Sequence, residues 1–185
     1  IKKAWNAGKA LVTATLGAGA WADELSETAE KYSTPEWVID EETLQRMQYA
    51  ANFIDTDVES IVASRKRLMK ALGGEDEGFW SFMHGENIKT EGETVEDIFW
   101  AIGDAIMAMD DEQKQNDAAT KAFGKSWDEL KPLFRAGREE YKKTMDEASV
   151  LTNDQVKNLG KMDDSLKKAQ NEWEVLKKQV LEAFF

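Results

Sequence analysis

The sequence predicts an all-α fold, a multi-helix bundle of short and medium helices ending in one long C-terminal helix. Three observations carry this. Only two prolines, Pro35 and Pro132, interrupt 185 residues. β-branched residues rarely alternate with polar ones as strands require. Apolar residues instead recur at three- and four-residue spacing, framed by helix-capping residues.

Lys3 to Lys31 reads as a helix with a soft spot at Gly17 and Gly19, where a bend or break is expected because each interior glycine costs up to about 1 kcal/mol relative to alanine. Ser33-Thr34-Pro35 is a turn. Asp40 then caps a helix whose first turn holds Glu41 and Glu42, favourable at the positive end of the dipole, with Leu44, Met47, Gln48 and Ala51 on one side. The chain restarts near Asp55–Asp57. From there Val58, Ile61, Val62, Arg65, Leu68, Met69 and Leu72 form a core-facing stripe that ends at Gly73-Gly74.

The stretch from Gly73 to Gly92 is rich in glycine and acid but holds Phe79, Trp80, Phe82, Met83 and Ile88, so an ordered loop with a short packed helix is expected. Thr94 and Asp97 resemble a capping box, with aspartate for the usual Glu or Gln. The helix they open carries Ile98, Ile102, Ala105, Ile106 and Met109. Another helix runs from Asp111 to Phe123 and stops at Gly124. Ser126 and Glu129 read as a capping box for a short helix that tolerates Pro132 because Pro132 lies near its first turns or ends it, closed by Gly137. Arg138 to Ala148 makes one more.

Thr152 and Gln155 cap the last helix, which at 1.5 Å per residue spans roughly 50 Å if it runs to Phe185. Along it Leu159, Met162, Leu166, Ala169, Trp173, Leu176, Val180 and Ala183 follow a/d spacing. That pattern serves either a long bundle helix or a self-associating seam. On length the chain is read as a single helical domain, 1–185, with 1–21 as a linker helix and 152–185 continuing into a rod.

Apolar residues at 42% and charged residues at 32% place the chain among folding globular proteins rather than disordered ones. A net charge of -12 argues against nucleic-acid binding, which draws on lysines and arginines that neutralise phosphates. Without cysteine there is neither a disulfide framework nor a thiolate metal site. The first residue is Ile1 and no secretory signal follows, so the chain is read as an excised fragment. The best apolar run, Ala10 to Ala22, is broken by Thr13, Thr15, Gly17 and Gly19 and falls short of a membrane span.

Several constellations imitate chemistry. Gly17-Ala-Gly19-Ala-Trp-Ala22, with Asp40 downstream, mimics a dinucleotide-binding start but lacks the repeating βαβ context. Asp55, Asp57 and Glu59 open like a calcium loop. Ser60 stands where that loop needs glycine, and Lys66 where it needs a bidentate glutamate. Glu75-Asp76-Glu77 and Asp110-Asp111-Glu112 read as solvated or capping acids. His84, the lone histidine, cannot complete a nucleophile triad or a zinc set by itself and reads as structural. Asp163 and Asp164 are adjacent on a helix and point about 100° apart, a poor glycosidase pair. No catalytic residue, cofactor site or metal site is assigned.

From Ala22 onward the order of short strings resembles a segment of bacteriophage and prophage tail tape measure proteins. Leu44-Gln-Arg-Met-Gln48-Tyr49-Ala50 resembles one family helix, preceded at Tyr32-Ser33-Thr34 by something like the family's turn. The most recognisable string is Phe123-Gly124-Lys125-Ser126 followed by Glu129-Leu130-Lys131-Pro132-Leu133. Ala136-Gly137, Ala148, Leu151-Thr152 and Asp163-Asp164-Ser165-Leu166 continue the order. The chain departs from the pattern at Tyr32, where glycine is usual, and at Met83-His84-Gly85, where an aliphatic residue usually precedes glycine.

The resemblance implies a structural, non-enzymatic scaffold that sets tail length during tube assembly and is released during DNA ejection. It implies residence in the virion tail interior, and in the host cytoplasm during assembly. Implied partners are other copies of itself, the tail tube protein, tail assembly chaperones and the host envelope, but no sequence-specific nucleic acid. The residues it marks are Phe123, Gly124, Lys125, Ser126, Leu130, Pro132 and Leu133 as an architectural joint. Leu166, Trp173, Leu176 and Val180 are the candidates for self-association. Physically, Gly124 suits a left-handed C′ position, Ser126 the next N-cap, and Lys125 an approach to the terminal carbonyls. Rival readings of the same helices are a partner-binding module or a membrane-active domain with Ala10 to Ala22 inserting.

Overall fold

A computed structural model describes the backbone of residues 2–184, and side-chain surroundings for residues 17–162, 164, 165 and 167–172. The chain is all-α, about 78% helical, with no strand among the described residues. Nine helices follow one another there: α1 (Lys2–Tyr32), α2 (Glu41–Ile54), α3 (Val58–Leu72), α4 (Glu77–Gly85), α5 (Val95–Met107), α6 (Glu112–Phe123), α7 (Trp127–Ala136), α8 (Arg138–Glu147) and α9 (Asn153–Phe184). They pack as two compact units. The first joins the residues up to Gln45 with those from Val150 onward, and the second is the intervening stretch Arg46–Ser149.

Most helix starts are set by a side chain that accepts orphan backbone N–H groups. Asp57, Asp76, Thr94 and Asp111 do this for α3, α4, α5 and α6. Asp40 accepts from the Thr43 amide at 2.8 Å for α2. Thr152 and Gln155 exchange bonds reciprocally at the start of α9. The acid runs at 75–77 and 110–112 are therefore caps with their neighbours.

The first unit is a helical hairpin. The Ser33 hydroxyl lies 2.9 Å from the Ile39 carbonyl and accepts the Ile39 N–H at 2.8 Å, folding the elbow after α1 back on itself. Asp40 in turn accepts from the Asn153 amide at 2.9 Å. The start of α9 is thus tied close to the end of α1, and the two helices pack in opposite directions. Their described seam is made of small and medium side chains. On α1 these are Ala22, Leu25 and Ala29, on α9 Val156, all buried. Gly160 sits so close to α1 that a Cβ there would lie 3.0 Å from Asp23 Oδ1. α1 passes through Gly17 and Gly19 as one helix, so the expected break is absent. Gly19 is buried, and burial of the helix face offsets a local propensity cost of at most about 1 kcal/mol.

The second unit holds the larger core. α3 lies against α5, α6 and α7, α4 against α6, and α7 against α8. Ile61, Leu68, Phe79, Met83, Phe99, Ile102, Ile106, Phe123, Leu130 and Leu133 are completely or almost completely buried. Its first and last segments are neighbours, because the Arg46 guanidinium donates to the Met145 carbonyl at 3.1 Å.

Candidate functional site

The string marked by the resemblance, Phe123 to Leu133, forms the joint between α6 and α7. α6 ends where Gly124 turns to φ 77°, ψ -142°, a conformation essentially confined to glycine. Its N–H donates to the Thr120 carbonyl, closing the last turn. One turn of tight 3-10 helix, Gly124–Ser126, leads directly into α7. One expectation is corrected here. Ser126 makes no capping bond with its side chain, because the 3-10 turn has already set φ -83°, ψ 13° there, away from the extended conformation an N-cap needs. Pro132 does not end α7 but lies inside it, in the second turn. It removes only the donor for the carbonyl of Asp128, an exposed residue.

Packing, not capping, holds the joint. Phe123 stacks on Trp127 with centroids 6.3 Å apart and planes 17° from parallel, and on Phe134 at 5.3 Å. Phe99 of α5 closes the cluster at 5.1 Å from both phenylalanines. Leu130 and Leu133 are fully buried beneath it. Lys125 is exposed. α5 can approach because Gly103 faces Phe134, where an added Cβ would stand 2.0 Å from Cε1.

A polar group borders these rings. The buried Arg65 of α3 pairs with Glu96 at 2.9 Å and lies 5.0 Å from the Phe99 centroid. Glu96 also accepts from Trp100 Nε1 at 3.3 Å. Tyr141 of α8 is 2% exposed, and its hydroxyl has no hydrogen-bond partner among the described residues. Burial, helped by the Glu96 charge and opposed by Arg65, pushes that hydroxyl up to about 12. Nearby Arg138 pairs with Asp97 at 2.7 Å. The Thr94 hydroxyl first, and then Arg138, hold the Asp97 carboxyl below the ordinary aspartate range. The cluster fixes helix angles, and its ionic groups are engaged with one another.

The remaining sequence candidates are dispersed. Gly17 and Gly19 lie within α1 with no strand before them. Asp55 ends α2 at φ 64° while Asp57 caps α3. His84 is exposed on α4, its ring 6.1 Å from that of Trp80. Among the described residues, no three of His, Cys, Asp and Glu are placed to hold a metal ion, and no helix is long and apolar enough to cross a membrane. Leu166, Trp173, Leu176 and Val180 lie outside the described side chains. Of the same a/d series, Met162 is 52% exposed and Ala169 is exposed, whereas Leu159 is half-buried. Comparison of the chain with protein-family models, with curated protein sequences and with solved structures finds no match.

Sequence reasoning missed Phe99, Trp100, Gly103, Phe134 and Tyr141. The run Ile98-Phe99-Trp100 was the available signal, since three consecutive bulky apolar residues on a helix demand burial on more than one face.

Proposed function

We propose that this chain is a structural segment of a phage tail tape measure protein, in which helices set a length and no reaction is catalysed. The observation that supports the reading best is the Phe123–Leu133 string. It carries the resemblance, and it forms a helix-to-helix joint whose geometry is a glycine-only turn and stacked rings rather than a ligand cradle. The all-helical fold fits the role, because α1 and α9, at 31 and 32 residues, each supply a fixed rise of about 45–50 Å. On this reading the partners are other copies of the protein, tail tube subunits and assembly chaperones, with α9 as the element that pairs between copies.

The test is an in-frame deletion of this segment from its parent protein, with tail lengths measured by negative-stain electron microscopy. Tails should shorten by between roughly 50 Å, one long helix, and roughly 280 Å, the whole segment in helical form. Normal tails of unchanged length would remove the proposal. Light scattering of Trp173→Ala checks the pairing role of α9 separately, through a loss of self-association.

A further inference from the structure

Four side-chain hydrogen bonds tie the elbow of the first unit to the start of α9. Gln45 donates through Nε2 to the Leu151 carbonyl at 2.9 Å and accepts the Leu151 N–H on Oε1 at 3.0 Å. One amide side chain thereby satisfies both backbone groups of a residue 106 positions away. Asn153 does the complementary thing. Its Oδ1 accepts the Glu42 N–H at 2.9 Å, and its Nδ2 donates to Asp40 Oδ2 at 2.9 Å. Each amide acts as donor and acceptor at once, an arrangement that neither a carboxylate nor an apolar side chain can reproduce.

These bonds adjoin the apolar seam between α1 and α9. Its described buried members are Ala22, Leu25, Ala29 and Val156, joined at the elbow by Ile39 and Leu44. Residues 46–149 carry the stacked aromatic core and have neighbouring ends of their own, through Arg46 and the Met145 carbonyl. Proteins open in contiguous cooperative units, and the hairpin and residues 46–149 are separate compact units.

We propose that Gln45 and Asn153 form a clasp that closes the α1–α9 hairpin, and that releasing it lets the hairpin open while residues 46–149 stay folded. The proposal stands on this geometry and not on the tape measure reading.

The test is hydrogen-exchange mass spectrometry on the full chain carrying Asn153→Asp. This substitution keeps the acceptor for the Glu42 N–H but replaces the donor to Asp40 with a second carboxylate. If Asn153 served only the first turn of α9, an aspartate there would favour the helix dipole and protection would hold or rise. The clasp predicts the opposite at pH 7. Protection factors for 22–32 and 153–160 should fall about tenfold or more, with those of 58–147 unchanged. Near pH 4.5 protection should return, because two apposed carboxylates take up a shared proton. Gln45→Ala should reproduce the fall without the recovery. Unchanged or increased protection in Asn153→Asp, or an equal fall across both units, overturns the proposal.

Discussion

Replacing Tyr141 with phenylalanine isolates one oxygen atom in the core of the second unit. The ring is 2% exposed, 5.9 Å from that of Trp100, and the hydroxyl is buried without a partner among the described residues. Leaving such a group unsatisfied costs roughly 1–3 kcal/mol, so removing it while the ring stays should leave stability at pH 7 between unchanged and about 2 kcal/mol higher. Alkali supplies the second half of the test. The hydroxyl's folded value of about 12 lies above its ordinary 10.0, so its neutral form is favoured by folding. That contribution is fully present below pH 10 and is lost as pH rises through 12. At pH 11 the loss amounts to about 1.4 kcal/mol. The advantage of Tyr141→Phe over the parent should therefore grow by that amount between pH 7 and pH 11. Lysine titration affects both proteins alike and cancels in the difference. Urea unfolding followed by tryptophan fluorescence reads it, since Trp80, Trp100 and Trp127 belong to this unit. A variant more than about 1 kcal/mol less stable at pH 7 would refute the reasoning, because the hydroxyl would then be making a bond worth keeping.

Three further outcomes are expected. Gly103→Ala places a methyl 2.0 Å from Phe134 Cε1 and should lower stability by about 3 kcal/mol or more by overpacking, seen as a reduced urea midpoint. Gly124→Ala forces a side chain into φ 77° and should cost roughly 1–3 kcal/mol with little change in far-ultraviolet circular dichroism. At Asp40, burial raises the carboxyl, but bonds from Thr43 and Asn153 outweigh it and hold it below its ordinary value. Its contribution is present above pH 3.8 and is lost as pH falls through the lowered folded value. The deficit of Asp40→Ala, measured by thermal melting, should therefore be full at pH 7 and shrink only below about pH 4.

The parts of the fold that could be read directly were those decided within three or four residues. Asp57, Thr94, Asp111 and Thr152 cap the helices they precede because cap and amide are covalently close. The stripe Val58, Ile61, Val62, Arg65 and Leu68 is buried as its spacing predicts, while Met69 and Leu72, at the stripe's end, are half-buried. The same local rules failed where distant partners intervene. Gly17 and Gly19 stay helical inside a paired α1, and Ser126 is diverted by a 3-10 turn. At the joint, the glycine turn was legible, but its support by Phe99 and Gly103 was not, since nothing near either residue names Phe134 as its neighbour. The Gln45 and Asn153 amides were equally silent, as their partners lie over 100 residues away.

The hairpin seam has a consequence for how the chain is made. α1 is complete at Tyr32, but α9 does not begin until Asn153. At roughly 5–20 residues per second of synthesis, α1 must wait about 6–24 s for its partner. A helix with a broad leucine and phenylalanine face would spend that time as an aggregation hazard. α1 offers mainly Ala22 and Ala29, with Leu25 the single large buried side chain among its described residues. Between Ala22 and Ala29 this face leaves little apolar surface in water during the delay, and the closing bonds come from polar amides that are equally at home solvated. Groups that tolerate water are thus what the early half of the stem holds out to a partner born so much later.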